Sequence, residues 1–146
     1  ECMPTYIADE QGPFGRNVKP TAHIRASLRD SGHMTPVIVC GGIHDFAQAE
    51  KILSEGDADI VGAARQSLAD PDWLEKVRTG NGAQVQLCKY TNYCEGLDQK
   101  HKQVTCQLWD RKALDCATVA LSLDGKRRLT APSWQREDTT NEETKK

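Results

Sequence analysis

The sequence predicts an α/β chain organised around one parallel strand, helix, strand unit, and three observations carry that expectation. A continuously apolar, β-branched run at Pro36–Cys40 ends in Gly41-Gly42. An amphipathic stretch with its own start and stop residues follows, and a second short apolar run, Ala58–Gly62, leads into Ala63-Ala64-Arg65. The spacing from Val37 to Val61 is that of a βαβ unit, so the two strands should be parallel.

Each element has its own local reason. In Pro20–Gly32 the apolar positions are Ala22, Ile24 and Leu28, with Thr21 as N-cap and Gly32 as the stop, which predicts a helix. Pro36–Cys40 reads as a strand buried on both faces. Asp45 is placed to cap the next helix, with Gln48 three residues on completing a capping-box-like pair. Phe46, Ala49, Ile52 and Leu53 form its apolar stripe, and Gly56 ends it. Ala63–Leu68 starts a short helix. Another begins at Asp70-Pro71, with Asp70 as N-cap, Pro71 at the first helical position and Trp73, Leu74 and Val77 as its buried face. Beyond Gly80 the periodicity fades, and Arg136–Lys146 is a mixed-charge tail expected to be disordered.

Composition limits the function classes. The 146 residues carry a net charge of −2 with both signs mixed, so there is neither a basic footprint for nucleic acid nor a polybasic membrane patch. No apolar run approaches a membrane span of ~20 residues, and Glu1–Glu10 lacks the layout of a signal peptide, so a cytoplasmic protein is expected. The first residue is not Met and Thr21 is the first structural signal, which reads as a fragment of a longer chain. The 38% hydrophobic content lies largely between Pro36 and Val77.

Gly41-Gly42 and Gly62-Ala63-Ala64-Arg65 place small residues and backbone N–H groups at adjacent carboxyl ends of parallel strands, a geometry suited to anions. In (β/α)8 barrels such loops after the last two strands often form a phosphate site, and Arg65 would add a charge-assisted contact. The plain alternative is that these are turn glycines of any α/β protein and that Arg65 is a surface cation.

The stretch PVIVCGGIHDFAQAEKILSEGDADIVGAARQSLADPDWLEKVRTG resembles the seventh strand, helix and eighth strand of the Old Yellow Enzyme-like NADH:flavin oxidoreductases. That family shows a Pro-Val-Ile-x-x-Gly-Gly-Ile strand, an x-Ala-Glu helix ending in Gly, an Ala-Asp-x-Val-Gly strand, then Arg and Leu-x-Asp-Pro. The likeness runs from about Gly12 to Trp134. It implies the C-terminal part of a TIM (β/α)8 barrel that binds FMN, with the phosphate held at Gly41, Gly42, Ala64 and Arg65. It also implies NADH or NADPH and a small-molecule substrate, an activated alkene or an amine, reached through a missing N-terminal half. Catalytic residues would lie in that half, and His23, His33, His44 and His101 have no catalytic counterpart. The corresponding division is barrel over 1–80, cysteine loop over 81–134 and tail over 135–146.

Six cysteines are too few for a disulfide-packed scaffold. Cys2, Cys40 and Cys116 are dispersed, whereas Cys88, Cys94 and Cys106 cluster. The branch of the family containing 2,4-dienoyl-CoA reductase and trimethylamine dehydrogenase follows its barrel with a four-cysteine loop binding a 4Fe-4S cluster. Here Thr91 stands where the second ligand is expected. Three readings follow: a cluster on three thiolates, zinc with His101 as fourth ligand, or a loop that keeps its thiols without metal. For the chain as a whole, the alternatives to an oxidoreductase portion are a non-enzymatic half-barrel with weak phosphate binding, and a barrel enzyme acting on a phosphorylated substrate. The cysteine loop argues against the last.

Overall fold

The computed structural model describes residues 14–43 and 45–135. The expected disordered tail, Cys2 and His44 lie outside the described residues. In chain order the elements are α1 (Val18–Asp30), β1 (Ile38–Cys40), α2 (Phe46–Ser54), β2 (Ile60–Gly62), α3 (Ala64–Ala69), α4 (Trp73–Arg78), one turn of 3-10 helix at Gly82–Gln84, and α5 (Tyr93–Asp98). The architecture is α/β with a small parallel sheet: β1 and β2 pair in the register Ile38↔Ile60, Val39↔Val61, Cys40↔Gly62.

α1 starts earlier than Thr21. Asn17 is its cap residue and Thr21 N–H donates to the Asn17 carbonyl, so Pro20 sits in the first turn, where its missing N–H would have had no helical partner. The helix closes as expected around Gly32, whose N–H donates to Arg29 O while His33 N–H donates to Leu28 O, a Schellman motif. α2 closes the same way around Gly56, through Gly56 N–H to Leu53 O and Asp57 N–H to Ile52 O. Asp45 caps α2 by accepting from Gln48 N–H at 2.8 Å. The Gln48 side chain donates to Gly42 O at 2.9 Å and so ties α2 to the loop after β1.

The core of this unit is Val39, Ile43, Ala49, Ile52 and Ala58, with Val18, Val61 and Ala63 packed beside it. β1 is not buried on both faces. Val39 is covered, but Ile38 and Cys40 point the other way and are exposed, as is Ile60, because strand side chains alternate and the described residues cover only one face. The α2 stripe is narrower than expected for the same reason, with Ala49 and Ile52 buried and Phe46 and Leu53 exposed.

α1 buries no residue fully; its first residue, Val18, packs beside the core, and farther along, the helix is docked by charge. Arg25 donates to Asp59 Oδ1 at 2.9 and 3.0 Å, Arg29 to Asp59 Oδ2 at 2.8 Å, and Val37 N–H to the same oxygen at 2.8 Å. The Arg25 hydrogen bonds, then the Val37 amide, hold the Asp59 carboxyl down at about 2. α4 begins after Asp72 rather than at Pro71. Asp70 still caps the turn, accepting from Asp72 N–H at 3.2 Å, but Leu74 is exposed and the buried positions of α4 are Trp73 and Lys76. Among the described residues no helix is long and apolar enough to cross a membrane.

Residues 81–135 are held by polar contacts. Gln66 is fully buried; its Oε1 accepts from Cys88 N–H at 2.9 Å and its Nε2 donates to Gln86 O at 3.1 Å. Asp70 Oδ2 accepts from Gln86 N–H at 2.8 Å and from the buried Lys76 ammonium at 2.6 Å. Trp109 Nε1 donates to Leu68 O at 2.9 Å. Further out, Asp110 Oδ2 accepts from Tyr93 at 2.7 Å and Thr105 at 2.8 Å.

Candidate functional site

The two strands end side by side, and the loops that leave them open onto a cleft of about 850 Å³, within the range usual for small-molecule sites. All four residues expected to hold phosphate, Gly41, Gly42, Ala64 and Arg65, line it. Gly41 and Gly42 have φ of +104° and +68°, a conformation that side-chain-bearing residues rarely adopt. A Cβ on Gly41 would come within 2.6 Å of Asn17 Nδ2, which donates to Cys40 O at 2.7 Å and fixes the end of β1. A side chain there would close the approach to the backbone. Ala64 and Arg65 are the first two residues of α3, whose amides have no partner within the helix. The loop geometry and donor set fit a phosphate group. Glu95 and Asp98 also line the cleft and would repel an anion near them, which places the favourable end at Arg65.

Arg65 is not a loose surface cation. Its NH1 donates to Asn92 Oδ1 at 2.9 Å, and its guanidinium lies 4.6 Å over the centre of the Tyr90 ring. Tyr90 is buried, its hydroxyl reaches Ile43 O at 3.4 Å, and its ring packs against Phe14 at 5.2 Å. One tyrosine thus touches both loops that leave the strands. Tyr90 and Asn92 have φ of +51° and +55°. Asparagine tolerates this region; for tyrosine it costs on the order of 1–3 kcal/mol, which the buried contacts must offset. The sequence reading missed both residues. The available signal was a tyrosine in a polar loop of a chain only 5% aromatic.

Cys88, Cys94 and Cys106 do come together. They line a second, small cavity of about 40 Å³ that Arg65, Tyr90 and Thr91 also line, so the cysteine loop and the larger cleft are one neighbourhood. The donor set does not fit a four-thiolate cluster. Thr91 Oγ1, at the position of the missing thiolate, is hydrogen-bonded to Gln107 Oε1 at 3.0 Å, and burial, reinforced by the neighbouring Cys88 and Cys94, pushes the Cys106 thiol up. Space of about 40 Å³ accommodates a few waters. Among the described residues no group of three or more His, Cys, Asp or Glu is placed to hold a metal ion. His23, His33 and His101 are exposed.

Residues 10–84, just over half of the chain, match the model of the NADH:flavin oxidoreductase / NADH oxidase family. The chain belongs to that family. It is 33% identical over 88 residues to an NADH oxidase of Thermoanaerobacter brockii, covering 60% of this chain and 13% of that protein. It is 34% identical over 85 residues to an N,N-dimethylglycine/sarcosine dehydrogenase of Chromohalobacter salexigens, covering 55% and 12%, and 36% identical over 74 residues to a bilirubin reductase of Mediterraneibacter gnavus, covering 50% and 12%. The matched region spans about an eighth of the length of these relatives.

Proposed function

We propose that this chain forms the phosphate-binding end of an FMN site in the C-terminal part of a (β/α)8 barrel, within a flavin-dependent NAD(P)H oxidoreductase acting on a small molecule. In this reading residues 1–80 are barrel, 81–134 brace the phosphate loops, and 135–146 are a tail. The observation that carries it is the convergence of Gly41-Gly42, Ala64-Arg65 and Tyr90 on one cleft at the carboxyl ends of two parallel strands. Backbone amides and Arg65 bind the phosphate, Tyr90 and Asn92 orient the guanidinium, and the isoalloxazine, when bound, supplies the hydride chemistry. No step is assigned to an iron-sulfur cluster.

The exposed face carrying Ile38, Cys40 and Ile60 favours a second reading, a half-barrel that is not an enzyme and binds phosphate weakly. Fluorescence titration with FMN and riboflavin, and competition by inorganic phosphate, separate the two. The main reading expects FMN to bind at least tenfold more tightly than riboflavin and than inorganic phosphate. Equal affinity for FMN and phosphate supports the half-barrel, and equal affinity for FMN and riboflavin contradicts both.

A further inference from the structure

α5 separates the phosphate cleft from a second one. Cys94, Glu95 and Asp98 line the first, whereas Tyr93, Gly96 and Leu97 line a cleft of about 700 Å³ on the other side. The walls of this second cleft carry Lys100, Lys102, Arg111, Lys126 and Arg127 against one carboxylate, Asp124, in a chain whose net charge is −2. Lys100, Lys102 and Lys126 form no ion pair among the described residues. Arg127 is only 7% exposed, and its NH1 donates to two neutral acceptors, Gln103 O and Thr105 Oγ1, each at 2.9 Å. The buried carboxylate of Asp110 reaches Arg127 through the Thr105 hydroxyl, which donates to it at 2.8 Å.

The Arg127 guanidinium hydrogen-bonds neutral acceptors, and Asp124, which lies near both it and Lys102, is the one carboxylate set against five cations in the cleft lining, so an anion seated there offsets the excess positive charge. We propose that this cleft is a second anion site, taking the diphosphate group of a small molecule. The cations come from three separate stretches, 100–102, 111 and 126–127, a spread suited to two linked phosphates rather than one. The site is independent of the flavin assignment, since it shares no cation with the cleft around Arg65.

The test is calorimetric titration of the 146-residue chain with inorganic pyrophosphate, then ADP, at low ionic strength, using wild type, the double variant Lys100→Glu/Lys126→Glu, and Arg65→Ala. Both lysines are exposed, and circular dichroism verifies the fold. The expected result is saturable binding that weakens at least tenfold in the double variant, persists in Arg65→Ala, and declines with added salt. ADP binding more tightly than pyrophosphate identifies a nucleotide as the source; equal affinity identifies a free diphosphate. Absence of saturable binding to wild type overturns the proposal, as does equal affinity in all three proteins. Loss in Arg65→Ala with retention in the double variant also overturns it, by assigning the binding to the phosphate cleft.

Discussion

The βαβ unit and the segment that follows it are stabilised in different ways. Around β1 and β2 the interior is aliphatic, built from Val39, Ile43, Ala49, Ile52 and Ala58. From Gln84 onward the buried groups are largely polar, with Thr105, Asp110, Arg127 and Arg128 inside and Gln66 and Asp70 forming the junction. A periodic apolar pattern specifies the first region, whereas the second depends on individual hydrogen bonds that water cannot replace once they are buried. The consequence is that single polar substitutions should weigh as much in the second region as core truncations do in the first.

The largest effect is expected at the junction. Asp70→Ala leaves the Lys76 ammonium buried without its partner at 2.6 Å and strands Gln86 N–H. The expected loss is about 3–5 kcal/mol in chemical denaturation. Ile52→Ala, which empties part of the aliphatic core, should cost about 2–5 kcal/mol; a loss well above that of Asp70→Ala would break the comparison. Gln66→Ala removes both bonds to the segment at about 1 kcal/mol each. It should raise amide exchange at residues 86–90 while leaving Val39 and Ile52 protected, and equal deprotection of both regions would show that they unfold as one unit.

The smallest effect is a pH dependence that Asp59 gives the first region. The Asp59 carboxyl is lowered from an ordinary 3.8 to about 2 by Arg25 and Val37. A depressed carboxyl contributes stability that is complete above about pH 4 and lost as pH falls through about 2. Asp59→Asn should therefore flatten the acid limb of melting temperature against pH in that window and free α1. An unchanged acid limb would mean that other carboxylates control it.

What could be read in advance follows the same division. Both strands, the Asp45 cap, the glycine stops and the parallel pairing were legible because each rests on residues adjacent in sequence or on a regular period. The two loops that line the cleft were legible for the same reason, as glycine and small residues directly after strands. Which strand face stays exposed was not, because that depends on what covers the sheet. Nor was the docking of α1, which joins Arg25 and Arg29 to Asp59 some thirty residues away and leaves Ile24 exposed. The role of Tyr90 was not legible either, because it arises only once the cysteine loop folds back over Arg65. Within that loop the thiols stand out in the sequence, whereas the contacts to Arg65 are made by Tyr90 and Asn92 between them.

The most direct test of a phosphate cleft completed by the second region is the ³¹P resonance of FMN titrated with wild type and with Tyr90→Ala. Bracing of Arg65 by Tyr90 predicts a shifted, broadened phosphate signal with wild type. It predicts a return toward the free position in Tyr90→Ala, with roughly tenfold weaker binding, about 1.4 kcal/mol, and an unchanged circular dichroism spectrum. An identical shifted signal in both proteins would contradict it, and would mean that the loops after β1 and β2 hold the phosphate without help from the segment that covers them.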